Sequence, residues 1–127
     1  MIGTLFLAAL LAASQTAPAA TPRAPTAETP APPQFSQEDR ARLRCAAAFS
    51  IVAVRDTSAG AETQSSEIAV RGREFFVVTL ADLMDAYALD REGVTRAVSA
   101  EAKALAGTGE VDKVMPACLL MLQAAGL

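Results

Sequence analysis

The sequence predicts an all-α protein, a small irregular bundle of about four helices. Apolar residues recur at spacings of three and four through most of the chain after Phe35, which is the period of helices buried along one side. Six of the seven prolines lie within residues 18–33, so the rest of the chain holds a single proline, Pro116, that could break a helix. Residues that favour helix N-termini precede three of the apolar runs: Ser36, Asp90 and Thr108.

Residues 1–20 are interpreted as a secretory signal peptide with its cleavage region. An apolar run over residues 5–13 is followed by small residues, and no charged side chain precedes Arg23. Such a run is typical of a signal-peptide core and is shorter than the ~20 apolar residues of a membrane-spanning helix. We therefore expect a periplasmic or secreted protein with no stable membrane span after cleavage. The alternative is a membrane anchor.

Residues 21–34 are predicted to form a disordered Ala/Pro-rich linker. Proline fixes φ and lacks an amide donor, so the stretch favours extended polyproline II over helix. A spacer that carries the following domain is the simpler interpretation, and a docking peptide for a proline-binding module is the alternative. The helical domain is then expected over residues 35–127.

The first two helices are predicted over residues 37–56 and about 66–88. Ser36, followed by acidic residues, is a strong start for the first helix. The second is apolar most of the way round, which favours it as the central, most buried helix. Residues 75–80 also have high β-propensity, so a strand there is the main alternative.

The last two helices are predicted from their capping signals. Asp90 is expected to cap the third helix, and Gly107 to end it in the left-handed conformation. Thr108 is then expected to cap the fourth helix. Pro116 predicts either a kink or a division into two shorter helices, and Gly126 ends the segment.

Two cysteines, Cys45 and Cys118, lie on the apolar faces of predicted helices. An even count in a small exported domain predicts a disulfide, and one pairing is possible within the chain. Such a bond would constrain the unfolded state by about 4 kcal/mol. Two buried free thiols and a redox couple remain as alternatives.

Composition excludes several classes of function. The chain has no histidine, so it has no imidazole base and no histidine metal ligand. Its net charge of −3 provides no basic field for nucleic acid. Sequence motifs of nucleophile elbows, phosphate-binding loops and metal sites are absent. We therefore expect a protein that is not an enzyme, that uses no cofactor or metal and that binds no nucleic acid.

Two groups of residues are candidate contacts for a ligand. Arg71 and Arg73 flank a glycine and could approach an anion, although surface charge is the simpler interpretation. An adaptable apolar groove could form between helices two and four, although these side chains are more often core packing. Its candidate residues are Phe76, Leu80, Met84, Met115 and Met121.

Four segments resemble small uncharacterised exported proteins of proteobacteria: Cys45–Phe49, Arg71–Phe76, Leu83–Asp85 and Met115–Leu119. The resemblance covers about residues 35–127. It implies a signal peptide, a variable Ala/Pro-rich tether and a helical domain with two cysteines, and it implies no activity. The overall plan also resembles periplasmic acid-stress chaperones, which are small helical proteins with one disulfide.

Function itself is not specified by the sequence. We expect an exported, non-enzymatic helical domain that interacts with an unidentified envelope protein or acts as a chaperone-like module. The alternative is a periplasmic carrier of a small apolar, lipid-like ligand.

Overall fold

The computed structural model describes residues 30–58 and 67–127. These residues form four helices and no strand: α1 (Gln37–Ser58), α2 (Glu67–Ala86), α3 (Arg91–Ala104) and α4 (Glu110–Ala124). The prediction of a small all-α bundle is confirmed. The predicted signal peptide and the first nine residues of the predicted linker lie outside the described residues.

Helix α1 begins where its capping residue predicts. The Ser36 hydroxyl accepts a hydrogen bond from the Asp39 amide at 3.0 Å and donates one to the Asp39 carboxylate at 2.7 Å. The first bond satisfies an amide that has no partner within the helix.

Helix α1, and not α2, is the central helix of the bundle. It packs against α3 and α4 more extensively than α2 does, and Ala46, Ala47 and Ala48 are fully buried. The alanine side chain ends at Cβ, so neighbouring helices can approach this part of α1 from several sides. The prediction that the second helix is the most buried is wrong, because Val70 and Val77 of α2 are 53% and 60% exposed.

Residues 75–80 are helical, so the strand alternative is wrong for this segment. The buried face of α2 carries Phe75, Thr79 and Leu83, and Gly72 lies where α2 crosses α1. A Cβ at Gly72 would lie 3.3 Å from Phe49 Cβ and Cγ, so the helices approach closely there. Packing of this face against α1 outweighs the local β-propensity.

A tight turn connects α2 to α3. Ala88 has a φ of 49°, and the Leu89 amide donates to the Met84 carbonyl at 3.0 Å, which closes the end of α2. Asp90 then caps α3, because its Oδ1 accepts a hydrogen bond from the Gly93 amide at 2.7 Å. The predicted Asp90 cap is confirmed.

The connection from α3 to α4 differs from the prediction. Leu105 caps the C-terminus of α3 in the right-handed conformation, and this side chain is buried in the core. The left-handed glycine is Gly109 (φ 75°), which is also the N-cap of α4. The predicted roles of Gly107 as left-handed stop and Thr108 as cap are therefore wrong.

Helix α4 continues through Pro116, so it is not divided into two helices. Pro116 is exposed, which leaves room for its ring on the outer side of the helix. After α4, Gly126 adopts a φ of 71°, as expected for the end of this segment.

A disulfide joins α1 to α4 through the core. Cys45 and Cys118 are bonded, with their Cα atoms 5.1 Å apart, and both are at most 4% exposed. Phe49 and Phe75 pack edge to face beside them, with ring centroids 5.7 Å apart. The predicted pairing is confirmed.

Candidate interaction groove

An open groove of about 420 Å³ runs between the start of α1, the middle of α2 and the end of α4. We call it the α2–α4 groove. Three charged side chains border it, namely Glu38, Arg42 and Asp82. Its apolar walls are formed by Phe75, Val78, Met121, Ala124, Ala125 and Leu127.

Two uncharged stretches of sequence explain the apolar walls. No charged side chain occurs over residues 114–127, which include most of α4, or over residues 75–81 of α2. At the end of α4, Ala124 and Ala125 line the groove with small side chains. Val78 on the facing wall is 41% exposed, and Leu120 of α4 is 67% exposed.

Thr79 also lines the groove. Its side chain is 0% exposed, and its hydroxyl has no hydrogen-bond partner among the described residues. A threonine in a helix often donates to the carbonyl four residues earlier, as Thr95 does to Arg91 at 2.7 Å. The floor of the groove therefore contains a buried polar atom that contributes no hydrogen bond.

A polar cluster beside the groove joins α1 to α2, and two of its members, Arg42 and Asp82, line the groove. It consists of Ser36, Asp39, Arg42, Asp82 and Tyr87. The Tyr87 hydroxyl donates to Asp39 at 2.7 Å and accepts from the Ser36 amide at 2.8 Å. Arg42 contacts Asp39 at 3.6 Å and Asp82 at 2.6 Å. The hydrogen bond from Tyr87, then that from Ser36 and the charge of Arg42, hold the pKa of Asp39 below its usual value.

The charged border of the groove carries a net negative charge. Arg42 is shared between two carboxylates, and Asp82 keeps 52% of its side chain exposed. Glu38, on the same border, is exposed and has no ion-pair partner within the part of the chain that the structure describes. Exposed carboxylates therefore lie directly beside apolar walls.

The two arginines proposed as anion contacts have different surroundings. Arg71 is half-buried and donates a hydrogen bond to the backbone oxygen of Leu127, which fixes the chain after α4 against α2. Arg73 is exposed. An anion contact shared by the two arginines stays a prediction.

The predicted apolar groove and the observed one have Met121 in common. Phe76, Leu80 and Met115 are partly buried against the core, and Met84 is partly buried on α2. Sequence reasoning did not select Val78, one residue before Thr79 on the groove side of α2. The signal that could have found this wall is the long uncharged stretch that ends the sequence.

In residues 30–58 and 67–127, no group of three or more acidic or cysteine side chains is placed to hold a metal ion. No helix within these ranges is long and apolar enough to cross a membrane. Comparison with known proteins found no family model, curated protein or solved structure that matches the chain.

Proposed function

We propose that this chain is an exported, non-enzymatic interaction module that binds a partner protein of the cell envelope in the α2–α4 groove. The observation that carries this proposal is the groove itself, with apolar walls from α2 and the end of α4 and an opening to solvent. Helical proteins bind segments of other proteins in grooves of this kind. Exposed apolar surface bordered by polar residues is typical of interaction sites.

Export is supported by the disulfide and by the N-terminal sequence. A buried disulfide persists in oxidising compartments such as the periplasm or the cell exterior. The apolar run over residues 5–13 is typical of a signal peptide. The resemblance to small exported proteins of proteobacteria agrees with both.

Site-specific photocrosslinking in the envelope fraction of the source organism tests the proposal. A photoreactive residue replaces Val78 in the groove, and a matched control replaces Thr95, which is exposed on α3 outside the groove. We expect a discrete protein adduct from position 78 and none from position 95. Unlabelled wild-type protein should compete, whereas Val78→Asp should not. Equal adducts from both positions, or none from position 78, would overturn the proposal.

A carrier of small apolar ligands is the second candidate function. The groove volume of about 420 Å³ is in the range of small-molecule sites. Such sites enclose most of their ligand, however, and this groove is open to solvent. Native mass spectrometry of the protein purified from its envelope fraction separates the two functions, because a carrier retains a lipid-like mass that denaturation removes.

A further inference from the structure

We infer that the partner presents a cationic amphipathic helix, which inserts its apolar side chains between α2 and α4 and places basic residues against Glu38 and Asp82. The inference rests on the proposed function and names the chemistry of its partner. Three features of the groove support it: its shape, the absence of charge on its walls and the position of its carboxylates.

The shape suits side chains carried by a third helix. The groove lies between two neighbouring helices, and its volume of about 420 Å³ holds several large side chains but no complete helix. A helix laid over α2 and α4 would insert one apolar ridge, as helices do when they pack at about 8–10 Å. Apolar anchors at spacings of three and four are how such a helix binds a groove.

The charges determine the sign of the partner. The walls of the groove, which include Val78 and Met121, are apolar, while Glu38 and Asp82 border the same groove. Arg42 is already paired with both Asp39 and Asp82, so it offers little attraction to an acidic partner. A lysine or arginine at the end of an apolar ridge finds exposed carboxylates there, and a glutamate at that position meets like charge.

Fluorescence anisotropy with three synthetic peptides tests the inference on the full oxidised protein. Each peptide has about 14 residues, enough for a helix of ~20 Å, and carries the same leucine stripe. They differ in having lysine, glutamine or glutamate beside that stripe. We expect the lysine peptide to bind at least about fivefold more tightly than the glutamine peptide, and the glutamate peptide to bind most weakly.

Three variants place the binding in the groove. Glu38→Gln should weaken the lysine peptide about threefold, and Glu92→Gln on α3, whose side chain is 86% exposed, should leave it unchanged. Val78→Asp should abolish binding of all three peptides. Because this substitution adds a negative charge, nonspecific attraction would instead strengthen binding of the lysine peptide. Circular dichroism establishes that each variant is folded.

Each remaining outcome overturns the inference in a distinguishable way. Equal affinities for the three peptides, all lost in Val78→Asp, would leave the groove as a binding site and refute the cationic partner. Failure of every peptide, with a crosslink still formed from position 78, would refute a helical partner and keep the proposed function. A dimer that sedimentation detects in the wild type and not in Val78→Asp would identify a second copy of this chain as the occupant.

Discussion

Replacing Thr79 with valine is expected to stabilise the protein. The side chain is 0% exposed, and its hydroxyl has no hydrogen-bond partner among the described residues. A buried polar group without a partner costs about 1–3 kcal/mol, because it loses its hydrogen bonds to water. Valine has nearly the same shape and a similar helix propensity. The free energy of unfolding should therefore rise by about 1 kcal/mol.

Urea unfolding of the oxidised protein, followed by circular dichroism at 222 nm, measures this change. A domain of this size has an m-value of about 1 kcal/mol/M, so the midpoint should rise by about 1 M. Thr79→Ser keeps the hydroxyl and loses the methyl group, so it should lower stability by about 1 kcal/mol. The control is Thr95→Val at an exposed position of α3, which should change stability by less than about 0.5 kcal/mol.

A lower midpoint for Thr79→Val would refute the reasoning. It would mean that the hydroxyl makes a hydrogen bond in solution, for instance to a buried water molecule. A rise in both Thr79→Val and Thr95→Val would instead trace the gain to helix propensity and not to the buried hydroxyl.

Three further changes test the disulfide, the polar cluster and the turn after α2. Reducing Cys45–Cys118, which spans a sequence separation of 73, should lower the free energy of unfolding by about 4 kcal/mol in urea titrations with and without reductant. Because the pKa of Asp39 is lower in the folded protein than in the unfolded chain, ionised Asp39 stabilises the fold at pH values above the usual aspartate pKa. This stabilisation is lost as the pH falls through the folded-state pKa. Tyr87→Phe removes the main cause of that shift, so thermal melts should show a shallower loss of stability in acid. Ala88→Gly relieves a φ of 49° and should stabilise by about 0.5–1 kcal/mol in urea unfolding.

Particular outcomes would contradict these expectations. Unchanged stability on reduction would show that the loop is already constrained in the unfolded chain. An unchanged acid limb in Tyr87→Phe would mean that other carboxyl groups dominate acid unfolding. A loss of stability in Ala88→Gly would mean that the glycine's greater freedom in the unfolded state outweighs the relief of strain.

The starts of α1 and α3 and the disulfide were predictable because they depend on local or countable features. Ser36 and Asp90 each accept a hydrogen bond from the amide three residues later. Such a cap depends on a few neighbouring residues, so it can be predicted from the sequence. Two cysteines on apolar helical faces allow one pairing. The end of α3 was not predictable in the same way, since Leu105 is anchored in the core and Gly109 takes the left-handed conformation instead of Gly107.

The sequence by itself determined the all-α class, the helix periods and the cysteine pair, because these follow from local hydrogen bonding and side-chain spacing. Only the tertiary structure decided that α1 is central, that Val78 lines a groove and that Thr79 is buried with no partner in the described part of the chain. The sequence shows apolar residues most of the way round α2, and which of them are covered depends on how closely the other helices approach. The fully buried Ala46–Ala48 segment allows that approach at α1, so the excess apolar surface of α2 is left facing the groove and solvent.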